Sequence, residues 1–169
     1  MIMVAVLACV AALAACGSSK APGVTTAPSG GATEASVPTT PKVPPALSKK
    51  PVVAVPKGAP PKTLVIKDLI PGTGQTAQPG KSVTVNYVGV LYKGGKEFDS
   101  SWKRNQPFTA QLASGQVISG WVKGLTGMKV GGRRELIIPP SLGYGKAGSP
   151  PTIPANAALV FVVDLLSVS

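Results

Sequence analysis

Histidine is absent from this chain, and cysteine occurs only at positions 9 and 16, both near the N-terminus. With neither residue available further along, there is no Ser-His-Asp triad, no Cys-His relay and no zinc site of His and Cys. Acids are scarce as well. Beyond residue 61 they are Asp68, Glu97, Asp99, Glu135 and Asp164. They are scattered, with no D-x-D-x-D-G loop of the kind that holds Ca²⁺. The expectation is a domain that works without a metal, a cofactor, a covalent intermediate or an imidazole.

The one long uncharged apolar run is MIMVAVLACVAALAA, residues 1–15. It is short of the roughly 20 residues that span a bilayer and suits a signal-peptide core. It ends Leu13-Ala14-Ala15-Cys16-Gly17-Ser18-Ser19, which resembles a bacterial lipobox. That resemblance implies a diacylglyceryl group on the Cys16 thiol and cleavage before it. The protein is then expected to be exported and held by lipid on the outer face of a bacterial membrane. The alternative is ordinary secretion after Ala12-Leu13-Ala14, an A-x-A pattern.

Residues 16–61 are rich in Pro, Ala, Thr, Ser, Gly and Lys, and ten of the eighteen prolines fall here. Proline removes donors and favours extended chain, so this stretch reads as a disordered tether. It has five lysines against one acid; the remainder has twelve Lys and Arg against five acids. The charges are dispersed rather than massed in a short block, which argues against nucleic acid as a partner. A basic tether also raises the idea of contact with anionic lipid or wall polymer.

From residue 62 to 169 the texture is that of one folded domain. Ser82–Leu91 alternates, with Val83, Val85, Tyr87 and Leu91 on one face, as a half-buried strand does. Thr63–Ile70, a short run into Phe98, Phe108–Leu112, Arg133–Ile138 and Ala158–Ser167 read as further strands. The last is apolar on both sides, so it should be covered on both sides. Trp121, Val122, Leu125 and Met128 have helical spacing, with Ser119 as the expected cap and Gly127 or Gly131 as the stop. The expected class is α+β, with about five antiparallel strands around one short helix.

Several segments then carry a resemblance: Val85-Asn86-Tyr87-Val88-Gly89, Phe98-Asp99-Ser100-Ser101, Arg104-Asn105-Gln106-Pro107-Phe108 and Val117-Ile118-Ser119-Gly120-Trp121. Leu136-Ile137-Ile138-Pro139, Leu142-Gly143-Tyr144-Gly145, Ile153-Pro154 and Leu159-Val160-Phe161 continue it. In order and spacing, residues 63–168 resemble an FKBP-type peptidyl-prolyl cis–trans isomerase. The resemblance implies an FKBP-like curved antiparallel sheet wrapped around a short helix, with the pocket between them.

By the same resemblance, Tyr87, Phe98, Asp99, Trp121, Tyr144 and Phe161 are the catalytic positions. Phe108, Val117, Ile118 and Ile153 are the substrate-binding ones, Trp121 is the floor, and Arg104 supports Asp99 and Tyr87. Trp102 is expected at the rim. Implied partners are proline-containing peptides, unfolded exported proteins and the macrolide inhibitors of the family; a monomer is expected. Ala110 and Ser149 depart from the common family pattern, which has an aromatic and a His there. A non-catalytic proline-peptide binding module on the cell surface is the competing reading.

Overall fold

A computed structural model of the chain describes residues 44–169. The stretches read above as a signal peptide, as a lipobox ending at Cys16 and as the first part of a tether lie outside the described residues. Six strands form one curved antiparallel sheet: β1 (Val65–Ile70), β2 (Ser82–Leu91), β3 (Glu97–Ser100), β4 (Phe108–Gln111), β5 (Arg133–Ile138) and β6 (Leu159–Val168). The order is β1-β5-β6-β2-β3, and β4 also pairs with β2.

β3 and β4 share one edge of β2. Val88, Gly89 and Val90 pair with β3, while Ser82 to Val85 pair with β4. Opposite Asn86 and Tyr87 the edge is open, and there the chain leaves the sheet in a single helical turn, α1 (Ser101–Arg104). A backbone donor left bare in this gap would be costly. The buried Ser101 hydroxyl fills the place of a ladder partner, accepting the Tyr87 N–H at 2.9 Å and donating to Asn86 Oδ1 at 3.0 Å.

The main core lies between the concave face and the second helix, α2 (Ser119–Leu125). Alternation sends Val83, Val85 and Tyr87 of β2 into it, with Leu159, Phe161, Val163 and Leu165 of β6. Each such aliphatic side chain contributes about 1.5–3 kcal/mol when fully buried. Gly120 and Gly124 are poor helix formers, costing roughly 1 kcal/mol each against Ala. Their lack of a Cβ lets α2 settle on β5, because a Cβ there would stand 2.5 Å from Ile138 and 2.7 Å from Leu136. Arg134 locks the same junction, donating to Gly124 O at 2.8 Å from the helix end and to Asp68 Oδ1 of β1 at 2.6 Å.

The start of α2 differs from expectation. Ile118, not Ser119, is the N-cap residue, and no side chain caps the helix. Gly127, at φ 81°, lies just beyond the C-cap Thr126.

The stretch assigned to the tether differs more. Residues 44–61 lie on the domain. Pro45–Ser48 forms a 3₁₀ turn with Leu47 1% exposed, and Lys49 O accepts from Arg133 Nη2 at 2.9 Å. Val53 and Val55 pack on a second cluster on the outer face, built from Val88, Val90, Tyr92, Ile137, Ala158 and Val160. The two-sided cover expected for β6 thus comes from proline-containing chain upstream of β1.

Candidate active site

Local structure around the open edge of β2 decides where the polar groups go. β3 ends at Ser100, whose hydroxyl accepts the Trp102 N–H at 3.2 Å and starts the α1 turn. Asn105 closes that turn in the left-handed region, at φ 50°, a conformation that Asn tolerates better than most residues. The turn brings Arg104 back toward Asp99 and Tyr87. Tyr87 Oη donates to Asp99 Oδ2, Arg104 Nη1 donates to Asp99 Oδ1, and Arg104 Nη2 donates to Tyr87 Oη at 2.8 Å. The Ser100 N–H adds a further bond to Asp99 Oδ1 at 2.8 Å.

These bonds set the charge states. Burial alone would raise the Asp99 carboxyl, but hydrogen bonds from Tyr87 and Arg104 and the guanidinium charge outweigh it and hold Asp99 below the ordinary carboxylate value. Burial, with the hydrogen bond to Asp99 next, pushes the Tyr87 hydroxyl up to about 12. Burial and then the Asp99 charge raise the Tyr144 hydroxyl as well. The triangle is therefore an ionised carboxylate, a protonated phenol and a guanidinium.

Beside it lies a cleft of about 700 Å³. Trp121, 4% exposed in the first turn of α2, packs edge-on to Tyr87 at 5.2 Å and to Phe161 at 5.4 Å between ring centroids. Phe98 meets Phe161 edge-on at 5.5 Å, and Phe108 meets Tyr87 at 5.9 Å. Edge-to-face pairs of this kind favour rigid aromatic walls. Gly89 makes room for them: a Cβ there would stand 2.7 Å from the Phe98 ring and 2.8 Å from Phe161.

Tyr87, Phe98, Asp99, Arg104, Phe108, Val117, Ile118, Trp121, Tyr144 and Phe161 all line this cleft. Ile153 does not. It is 4% exposed in the main core, in a loop where Ser149 and Ile153 form an antiparallel bridge. Trp102 is not at the rim either; it packs against the outer-face cluster, on the far side of the sheet. Gly115 and Gln116, which no motif in the sequence marks, complete the lining. Their signal was position alone, in the loop just before Val117.

Two residues that line the cleft carry an N–H without a partner among the described residues. Among the described residues no acceptor takes the Ile118 N–H, which precedes α2. The indole Nε1–H of Trp121 is buried and has no partner among them. The rim residues Phe108 and Tyr144 are 37% and 39% exposed. Chemically the cleft offers a buried aromatic floor, apolar lips, one free backbone donor and a fixed carboxylate with no proton to give.

A family model described as FKBP-type peptidyl-prolyl cis-trans isomerase matches residues 73–166. The chain is 53% identical over 121 residues to an FK506-binding protein of Streptomyces anulatus, covering 71% of this chain and 98% of that one. It is 49% identical over 119 residues to a probable FK506-binding protein of Corynebacterium glutamicum, covering 70% and 98%. Coverage of 71% of 169 residues places the start of the first similarity no later than about Lys50. Among solved structures, AtFKBP13 matches with a TM-score of 0.59 and 35% identity, over 65% of this chain and 96% of that one. The chain belongs to the FKBP-type peptidyl-prolyl cis–trans isomerase family.

Proposed function

We propose that this protein accelerates rotation about X–Pro bonds by binding the proline in the cleft over Trp121. The observation that carries the reading is the cleft's chemistry: edge-packed aromatics around a carboxylate whose hydrogen bonds are already satisfied. X–Pro rotation makes and breaks no covalent bond. Its barrier, about 18–20 kcal/mol, comes from lone-pair sharing between the amide nitrogen and the carbonyl. Twisting the bond removes that sharing and makes the carbonyl less dipolar. A water-excluding aromatic cleft therefore favours the twisted form over the planar one.

Rotation also needs one side of the bond held still. The free Ile118 N–H is suited to hold a peptide carbonyl, with the Tyr144 hydroxyl as a second handle. Asp99 acts as a fixed charge at the edge of the cleft rather than as an acid or base. The exposed rings of Phe108 and Tyr144 supply an apolar entrance.

The clients we propose are proline-containing segments of exported, incompletely folded proteins, with the chain anchored through lipid on Cys16. Two or more acyl chains hold a protein stably on a membrane where one does not. Two experiments test this reading. Substoichiometric protein should speed the slow proline-limited refolding phase of a model substrate, and an unchanged phase would refute the activity. Mature protein from cells should carry added lipid mass at Cys16, and a water-soluble protein without it would refute the anchor.

A further inference from the structure

The segment Glu97–Arg104 has two sides. One presents Asp99 and Arg104 to the cleft; the other is gripped from the outer face. Lys50 Nζ lies 2.8 Å from Glu97 Oε2, two residues before Asp99. Trp102, between Asp99 and Arg104, packs on the same outer-face cluster that receives Val53 and Val55. Along the upstream segment Pro51 is buried and Val53 and Val55 are half-buried, whereas Val52 is 94% exposed. That alternation is how an extended chain clamps a surface. The clamp is fixed at one end by buried Leu47 and the Lys49–Arg133 bond, and at the other by Tyr92 Oη donating to Ala59 O at 3.3 Å.

We propose that Lys50, Val53 and Val55 are positioning residues for the isomerase site. They hold the back of the β3–α1 segment and thereby fix where Asp99 and Arg104 stand against Tyr87. The proposal rests on the isomerase reading of the cleft. The Lys50–Glu97 pair is partly exposed on both sides, so its direct contribution to stability is small. Its effect is on geometry, and misplacing a catalytic wall by about 1 Å can cost up to 100-fold in rate.

The test uses the full chain with three sets of variants. Val53→Ser/Val55→Ser loosens the clamp without changing charge, Lys50→Gln removes the pair, and Lys50→Arg restores it. Val52→Ser alters the same segment at a side chain that touches little. We expect kcat on an X–Pro peptide to fall about tenfold in the double variant and less in Lys50→Gln, with KM unchanged. Lys50→Arg and Val52→Ser should match the unsubstituted protein.

The second readout is the Asp99 carboxyl titration, followed by ¹³C NMR. In the double variant it should move up toward the ordinary value of 3.8. Lower thermal stability with kcat, KM and this titration all unchanged would overturn the proposal, leaving the segment a structural cover only. If the unsubstituted protein shows no catalysis, the isomerase reading fails. The titration still decides the positioning claim: a shift in the double variant supports it, and no shift overturns it.

Discussion

The Ser101 hydroxyl takes the place of a strand beside Tyr87, accepting its backbone N–H at 2.9 Å in a gap where neither β3 nor β4 reaches. That gap is what lets the chain loop out as α1 and return Arg104 to Asp99. The cleft's polar triangle thus depends on an interruption in the sheet, sealed by one buried hydroxyl.

Ser101→Ala should therefore cost about 1–3 kcal/mol, because it strands a buried N–H and the Asn86 amide oxygen. Urea unfolding with an unchanged m-value would show this as a lower midpoint. Activity should fall as well, since α1 loses its seat. A variant of full stability would mean that water fills the gap at no cost.

Gly89→Ala tests the aromatic walls. The added methyl meets the rings of Phe98 and Phe161 at once, and overpacking of this kind typically costs about 1–3 kcal/mol. Both rings line the cleft, so kcat/KM should drop together with stability.

The pH dependence follows from the signs of the shifts. Asp99 has a depressed value, so its stabilisation is complete above the ordinary 3.8 and is lost as pH falls through the depressed value. Tyr87 has a raised value, so its stabilisation is complete below 10.0 and is lost as pH climbs toward about 12. With no histidine in the chain, kcat/KM should be flat from about pH 5 to 9. Arg104→Ala should move the acid limb upward. A bell-shaped profile inside that range would indicate proton transfer and contradict the reading.

β2 and β6 are legible in the sequence because their side chains alternate between two chemically different environments. Most of the cleft is legible too, since ten of its twelve lining residues belong to the resembling segments. What escapes is set by pairings that local pattern does not encode. Ile153, bridged to Ser149 across a loop, is buried in the main core rather than on the cleft wall. Ile118 rather than Ser119 caps α2, because the chain enters the helix one residue earlier than the serine suggests. Val53 and Val55 do alternate in the sequence, but the prolines around them read as tether until the apolar outer face of β2 and β6 is seen to need cover.

Starting the chain at Lys62 should accordingly be harmful. Loss of Leu47, Val53 and Val55 from the surface they cover removes about 4 kcal/mol of apolar burial, along with the Lys49–Arg133 and Lys50–Glu97 contacts. Thermal or urea unfolding of residues 62–169 against 44–169 would show it. Equal stability would mean that the segment is not part of the folded unit.

The most direct measurement of the central claim is cis–trans exchange in an X–Pro peptide, followed by NMR with substoichiometric protein comprising residues 44–169. Clear acceleration is predicted, strongly reduced by Phe98→Ala and by Asp99→Ala. A peptide that binds in the cleft while its exchange rate stays at the uncatalysed value would contradict the claim, and would make this a proline-peptide binding module instead.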